Sequence, residues 1–172
     1  MADESGATAP APRPAAALDR IAEVVAVAGG ALALLMAALV AVSVTLRRTL
    51  GQPIPGDFEF IQMGVALAVF AFLPLCQARR GNIVVDTFTS MLPRRVLAAI
   101  DGLWDLVYAG CMGLIAWGMT TGAVEAFHTR TASMVLQIPL WPALSLCAAL
   151  AMLLCVVCLW TAGRQLAAAS RA

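Results

Sequence analysis

The sequence predicts an all-α integral membrane protein: four transmembrane helices plus an amphipathic interfacial helix between spans 2 and 3. Of the 172 residues, 62% are hydrophobic, against roughly 45–50% in soluble domains, and the mean hydropathy is +0.89. Four almost uncharged runs, at about residues 24–46, 60–78, 103–124 and 140–162, each have the ~20 residues needed to cross a bilayer core. Polar, turn-forming stretches separate them, and arginines gather at their ends.

Residues 1–18 are rich in Ala and Pro with scattered charge, a composition that cannot bury a core and predicts a disordered cytoplasmic tail. A secretory signal is the competing reading. Asp3 and Glu4 stand where a signal has positive charge, and Val24 to Leu46 outruns the ~7–15 residues of a signal's apolar stretch, so an uncleaved first span is expected. Glu23 sits at the edge of that span and reads as an acid near a helix N-terminus. Gly29, Ala33, Ala37 and Ala41 recur every four residues along the span and predict a stripe that another helix can approach closely.

The chain leaves span 1 through Arg47 and Arg48 and turns at Gly51, Pro53, Pro55 and Gly56. Asp57 is then placed to cap span 2. The two prolines donate no backbone hydrogen bond, so this turn cannot be continuous helix. Arg47 and Glu59 end one span and begin the next. Their spacing predicts either an ion pair across the turn or charges directed outward to a partner.

Gly64 and Ala68 give span 2 small residues four apart, Pro74 lies near its end, and Arg79 and Arg80 close it. Residues 81–95 are too short and polar to span. Val84 or Val85, Phe88, Met91 and Leu92 fall at helical spacing around Asp86, which predicts an interfacial helix at about 83–93. Span 3 carries Gly110, Gly113 and the Gly118/Gly122 pair. A short polar loop with His128 and Arg130 leads into span 4, and residues 166–172 form a cytoplasmic tail. Trp141 and Trp160 stand roughly 28 Å apart along a helix, which matches aromatic belts at both interfaces. Residues 19–165 are therefore the four-helix membrane domain.

All eleven basic residues are arginines, and ten acids bring the net charge to +1, which leaves no basic excess for nucleic acid. With both termini cytoplasmic, only Arg47, Arg48 and Arg130 fall on the outer side, which predicts an N-in, C-in orientation. Acids and arginines cluster at span ends, unlike the mid-membrane charges of a proton or ion pathway. The single histidine cannot supply paired haem ligands. Cys76, Cys111, Cys147, Cys155 and Cys158 lie in or beside apolar runs and read as small apolar side chains, with Cys155 and Cys158 the one spacing open to redox or metal chemistry. No nucleophile elbow or phosphate loop is present, so neither an enzyme nor a cofactor is expected.

The order Arg47, Gly51, Pro53, Ile54, Glu59, Gly81, Ile83, Asp86, Leu92, Pro93, set around four spans, resembles the small permease subunit of TRAP (tripartite ATP-independent periplasmic) transporters over about residues 20–165. Asn82 and the Pro55–Gly56 pair depart from the pattern, where a histidine and an aromatic residue are often found. The resemblance implies a bacterial inner-membrane subunit with no substrate site of its own. Its partners would be a large permease subunit driven by a sodium gradient and a periplasmic binding protein that delivers a small organic acid. The small subunit of another tripartite uptake system and a homo-oligomeric stand-alone carrier are the alternatives. Arg47, Gly51, Glu59, Gly29, Ala33, Ala37 and Asp86 are the candidate partner-contact or structural residues.

Overall fold

The computed structural model describes residues 13–52, 54–79 and 94–171, and all secondary structure beyond one isolated bridge is helical there. Helix α1 runs Arg13–Leu50, α2 Asp57–Ala78, α3 Arg94–His128 and α4 Trp141–Arg171. Each contains a stretch long and apolar enough to cross a membrane. The expected interfacial helix at 83–93, with Asp86, lies outside the described residues, as do residues 1–12.

The helices outrun the apolar spans. α1 begins at Arg13, so residues 13–18, assigned by composition to the disordered tail, are helical. After Pro14 this stretch reads Ala-Ala-Ala-Leu, strong helix formers, and a proline in the first turn of a helix loses no internal hydrogen bond. α3 likewise starts nine residues before the expected span, and α4 continues through Arg171, within the expected C-terminal tail. Hydropathy marks where a helix is greasy and does not mark where it ends.

Three helix pairs pack extensively: α3 with α4, α1 with α2, and α2 with α4. The order across the bundle is therefore α1–α2–α4–α3, and α1 has no comparable interface with α3 or α4. The core sits where α3 meets α4, around Ala109, Leu154 and Cys158, with Leu73 of α2 and Tyr108, Met112 and Cys155 packed on it. Along α3 the buried alanines 109, 116 and 123 recur every seven residues, facing Cys147, Ala151, Leu154 and Cys158 of α4. Small residues at such a seam let backbones approach where lipid supplies no hydrophobic drive.

The α1–α2 seam has the same period. Ala22, Gly29, Met36 and Ser43 are its buried positions at intervals of seven, with Ala26 between. Gly29 lies against α2 so closely that an added Cβ would stand 2.7 Å from Ala71 Cβ. The reverse fit occurs about two turns on, where Met36 fills the space above Gly64. Side chains pointing away remain uncovered: Leu34 of α1 is 74% exposed and Leu114 of α3 is 76% exposed. Hydroxyls on these surfaces, Thr45, Thr49 and Thr121 among them, donate to carbonyls three or four residues back, which spares them an unsatisfied bond in an apolar medium.

Candidate functional site

The turn between α1 and α2 and the loop between α3 and α4 lie at one end of the bundle and form one structure. Gly51 follows the last residue of α1 at φ 73°, and Gly56 precedes α2 at φ 75°, both left-handed conformations that glycine adopts without strain. Gly56 has a second reason to lack a side chain. Leu136 from the distant loop packs directly onto it, its Cδ2 standing 3.1 Å from where a Cβ would be.

Glu59, in the first turn of α2, reaches the same loop. Its carboxylate accepts the Ser133 hydroxyl at 2.7 Å, the Val135 amide at 2.7 Å and the Leu136 amide at 3.0 Å. The loop is itself a small hairpin. The Ser133 amide donates to the Ile138 carbonyl at 2.9 Å and the Leu140 amide to the Thr131 carbonyl at 3.2 Å, around an antiparallel bridge between Ala132 and Pro139. Arg130 and Gln137 take left-handed φ values of 53° and 54° at its two corners. A carboxylate with three donors converging on it is a strong positional clamp, since charge-assisted bonds are shorter and stronger than neutral ones.

The ion pair between Arg47 and Glu59 expected from the sequence does not form. Arg47 is exposed in the last turn of α1, and the ion pair among the described residues is Arg79–Glu23 at 3.2 Å, at the opposite end. Glu59 has backbone amides closer to hand than any guanidinium. Asp57 departs from expectation as well. The cap position is Gly56, with no side-chain bond, while Asp57 is the first helical residue, accepting its neighbour Phe58's amide at 2.7 Å and the Ser43 hydroxyl from α1. Asp57 thus joins α1 to α2.

The stripe on span 1 is divided. Gly29 is buried against α2, Ala33 is half-buried and Ala37 is exposed. A four-residue repeat advances about 40° further round a helix at each step, so such a stripe drifts off a seam that repeats every seven. The glycine pair in span 3 faces away from its described neighbours, with none of them within 4 Å of a Cβ built at Gly118 or Gly122.

At the opposite end a buried polar group joins three helices. The Gln77 amide of α2 donates to Asp105 of α3 at 2.7 Å and to the Thr161 hydroxyl of α4 at 3.3 Å, and that hydroxyl donates to the Cys158 carbonyl at 2.9 Å. Glu23 is ten residues into α1, not at its start, and meets Arg79 across the α1–α2 seam. The Cys155 thiol points to the Ala109 carbonyl at 3.4 Å, and Cys158 is fully buried in the core. No cluster of His, Cys, Asp or Glu with the makings of a metal site occurs among the described residues.

Sequence reasoning missed the loop as a structured element. Its signal was the run Met134, Val135, Leu136 and Ile138, apolar side chains in a connection that otherwise reads as polar. What the assembled end can do chemically is limited. Its carboxylates hold backbone amides and hydroxyls.

Comparison with curated proteins and with solved structures found no match. A family model described as "Tripartite ATP-independent periplasmic transporters, DctQ component" matches residues 36–168. That stretch takes in α1 from Met36 to its end, all of α2 and α3 and nearly all of α4, including both clamped connections. The chain belongs to the DctQ family, the small permease component of TRAP transporters.

Proposed function

We propose that this chain is the supporting membrane subunit of a sodium-driven uptake system for a small organic acid. It would hold a large permease subunit that moves the solute, while a periplasmic binding protein delivers it. One observation carries the supporting role. Among the described residues no aspartate, glutamate or arginine stands in the middle of an apolar span; Glu23 and Asp105, which lie furthest inside their helices, bond to Arg79 and Gln77 within the subunit, and the mid-helix seams are built chiefly of small and apolar side chains. A carrier that moved an ion or a carboxylate by itself would need polar groups along its path. The arginine distribution supports placing both termini in the cytoplasm of a bacterium, with the turn and the clamped loop on the periplasmic side.

The test is reconstitution. Liposomes containing this chain and the large permease subunit, supplied with the binding protein and an inward sodium gradient, should accumulate the binding protein's solute, and omission of this chain should abolish uptake. Uptake by liposomes holding this chain alone would overturn the supporting role in favour of a stand-alone carrier.

A further inference from the structure

At the end of the bundle where the loop is clamped, α2 and α3 leave a groove between them of about 640 Å³. The two helices are joined at the far end by Gln77 and Asp105. Here Met63 of α2, Met119 of α3, Leu144 and Cys147 of α4, and Ser133 and Met134 of the loop all line the groove. The long walls are apolar. The carboxylates of Asp57 and Glu59 stand at the rim, and no basic residue among the described ones lines the groove.

Neither carboxylate has an ion-pair partner among the described residues. Asp57 accepts two hydrogen bonds and Glu59 three, whereas a carboxylate offers about four lone-pair sites. Both sit in the first turn of α2, where the helix dipole favours negative charge, and close to the membrane–water boundary set by the start of the span. An apolar slot with two anionic acceptors at its mouth complements an apolar chain carrying a cationic, hydrogen-rich head. Arg47, Arg48 and Arg130, at the same end of the bundle, suit an anionic group beside that cation.

We propose that this groove binds a phospholipid with a primary-amine headgroup: an acyl chain lies between Met63 and Met119, and the ammonium donates to Asp57 and Glu59. The bilayer is the source, because the walls belong to spanning helices and the surrounding membrane presents such amphiphiles at high local concentration. An anionic headgroup without an amine would bring like charge to the rim. The inference depends on the membrane setting of the four helices and not on the transport role proposed above.

Native mass spectrometry of the full chain, released from detergent after equilibration with equal amounts of phosphatidylethanolamine and phosphatidylglycerol, tests it. The wild-type chain should retain phosphatidylethanolamine about two- to five-fold better, the range expected of a partly exposed ion pair. Asp57→Asn should remove most of that preference, and Ala66→Phe, which fills the groove, should reduce retention of both lipids. Ala143→Phe fills it from α4 and serves if the first filling variant fails to fold, as judged by circular dichroism. Equal retention of the two lipids by the wild-type chain, or undiminished retention in a folded filling variant, would overturn the assignment. So would a cross-link from Met63→Cys to the large permease subunit in complexes that carry no lipid, which would give the groove to a protein partner.

Discussion

Glu59 and Ser133 are 74 residues apart in sequence and hydrogen-bonded at 2.7 Å, and through this contact the turn that ends one helix pair fixes the loop that joins the other. Three of the acceptor sites of Glu59 are taken by the loop of its own subunit. Arg47, its expected partner, is left exposed on the surface of α1. The two residues therefore have separable roles, and exchanging them should not restore what either single substitution loses.

Glu59→Ala should free the loop. Amide hydrogen exchange at Val135 and Leu136 should accelerate, because both amides lose their acceptor, while exchange in the α3–α4 core around Leu154 stays unchanged. Arg47→Ala should leave the loop amides as they are. Acceleration by Arg47→Ala equal to that of Glu59→Ala would show that the guanidinium shares the clamp after all.

The division of the small stripe yields a second test. Gly29→Ala drives a Cβ to 2.7 Å from Ala71 Cβ, a rigid neighbour, so the α1–α2 seam must shift. Overpacking of this kind costs about 1–3 kcal/mol. Gly64→Ala meets the flexible end of Met36, which can move, and should cost less. Ala37→Leu points away from the seam and should stay within about 0.5 kcal/mol of wild type, as surface changes do. Thermal unfolding in detergent, followed by circular dichroism, ranks the three; equal losses at Gly29 and Ala37 would contradict the seam.

How much of this was legible in the sequence depended on the range of the interaction. The four spans were readable because apolar length is a local property, and helix ends were not, because residues 13–18 and 163–171 continue a helix on propensity with no apolar signal. The resemblance to the TRAP small permease subunit was readable from residues of the turn together with Gly81, Ile83, Asp86, Leu92 and Pro93, and the family match over 36–168 agrees with it. Glu59's position in the first turn was readable as well. Its partner was not, since nothing local distinguishes an arginine twelve residues away from amides 76 and 77 residues away. The choice was made by where α4 seats the loop. The stripe failed for a geometric reason, the four-residue repeat against a seam of seven.

Orientation is testable without a partner. In a background with the five native cysteines replaced by alanine, Gln52→Cys and Thr129→Cys should react with a membrane-impermeant maleimide in intact cells, and Asn82→Cys should react only after permeabilisation. Labelling confined to Asn82→Cys would invert the assignment and place the clamped loop in the cytoplasm. Thr129 must be read with its bonds in mind: its hydroxyl donates to the Glu125 carbonyl at 2.8 Å, so the substitution frays the last turn of α3 and leaves the hairpin beyond it in place.

The remaining prediction concerns Gln77, buried at 3% exposure where α2, α3 and α4 converge. Its amide bonds to Asp105 and Thr161 join three helices through directional contacts, so they set register as well as adding stability. Hydrogen bonds between membrane helices couple by about 0.6 kcal/mol on average and up to about 1.7 kcal/mol. Gln77→Leu and Asp105→Leu should each lower stability, and the double variant should lose less than their sum by about that coupling when unfolding is followed in mixed micelles. Asp105→Asn keeps an acceptor for the Gln77 amide and should be the mildest change. Gln77→Glu should be the most damaging, because it sets a second carboxylate beside Asp105 in a medium that screens poorly. A coupling of zero would mean that the two side chains meet only as neighbours, and the register of α2 against α3 would then rest on the packing of Leu73 and Tyr108 against the shared core of Ala109, Leu154 and Cys158.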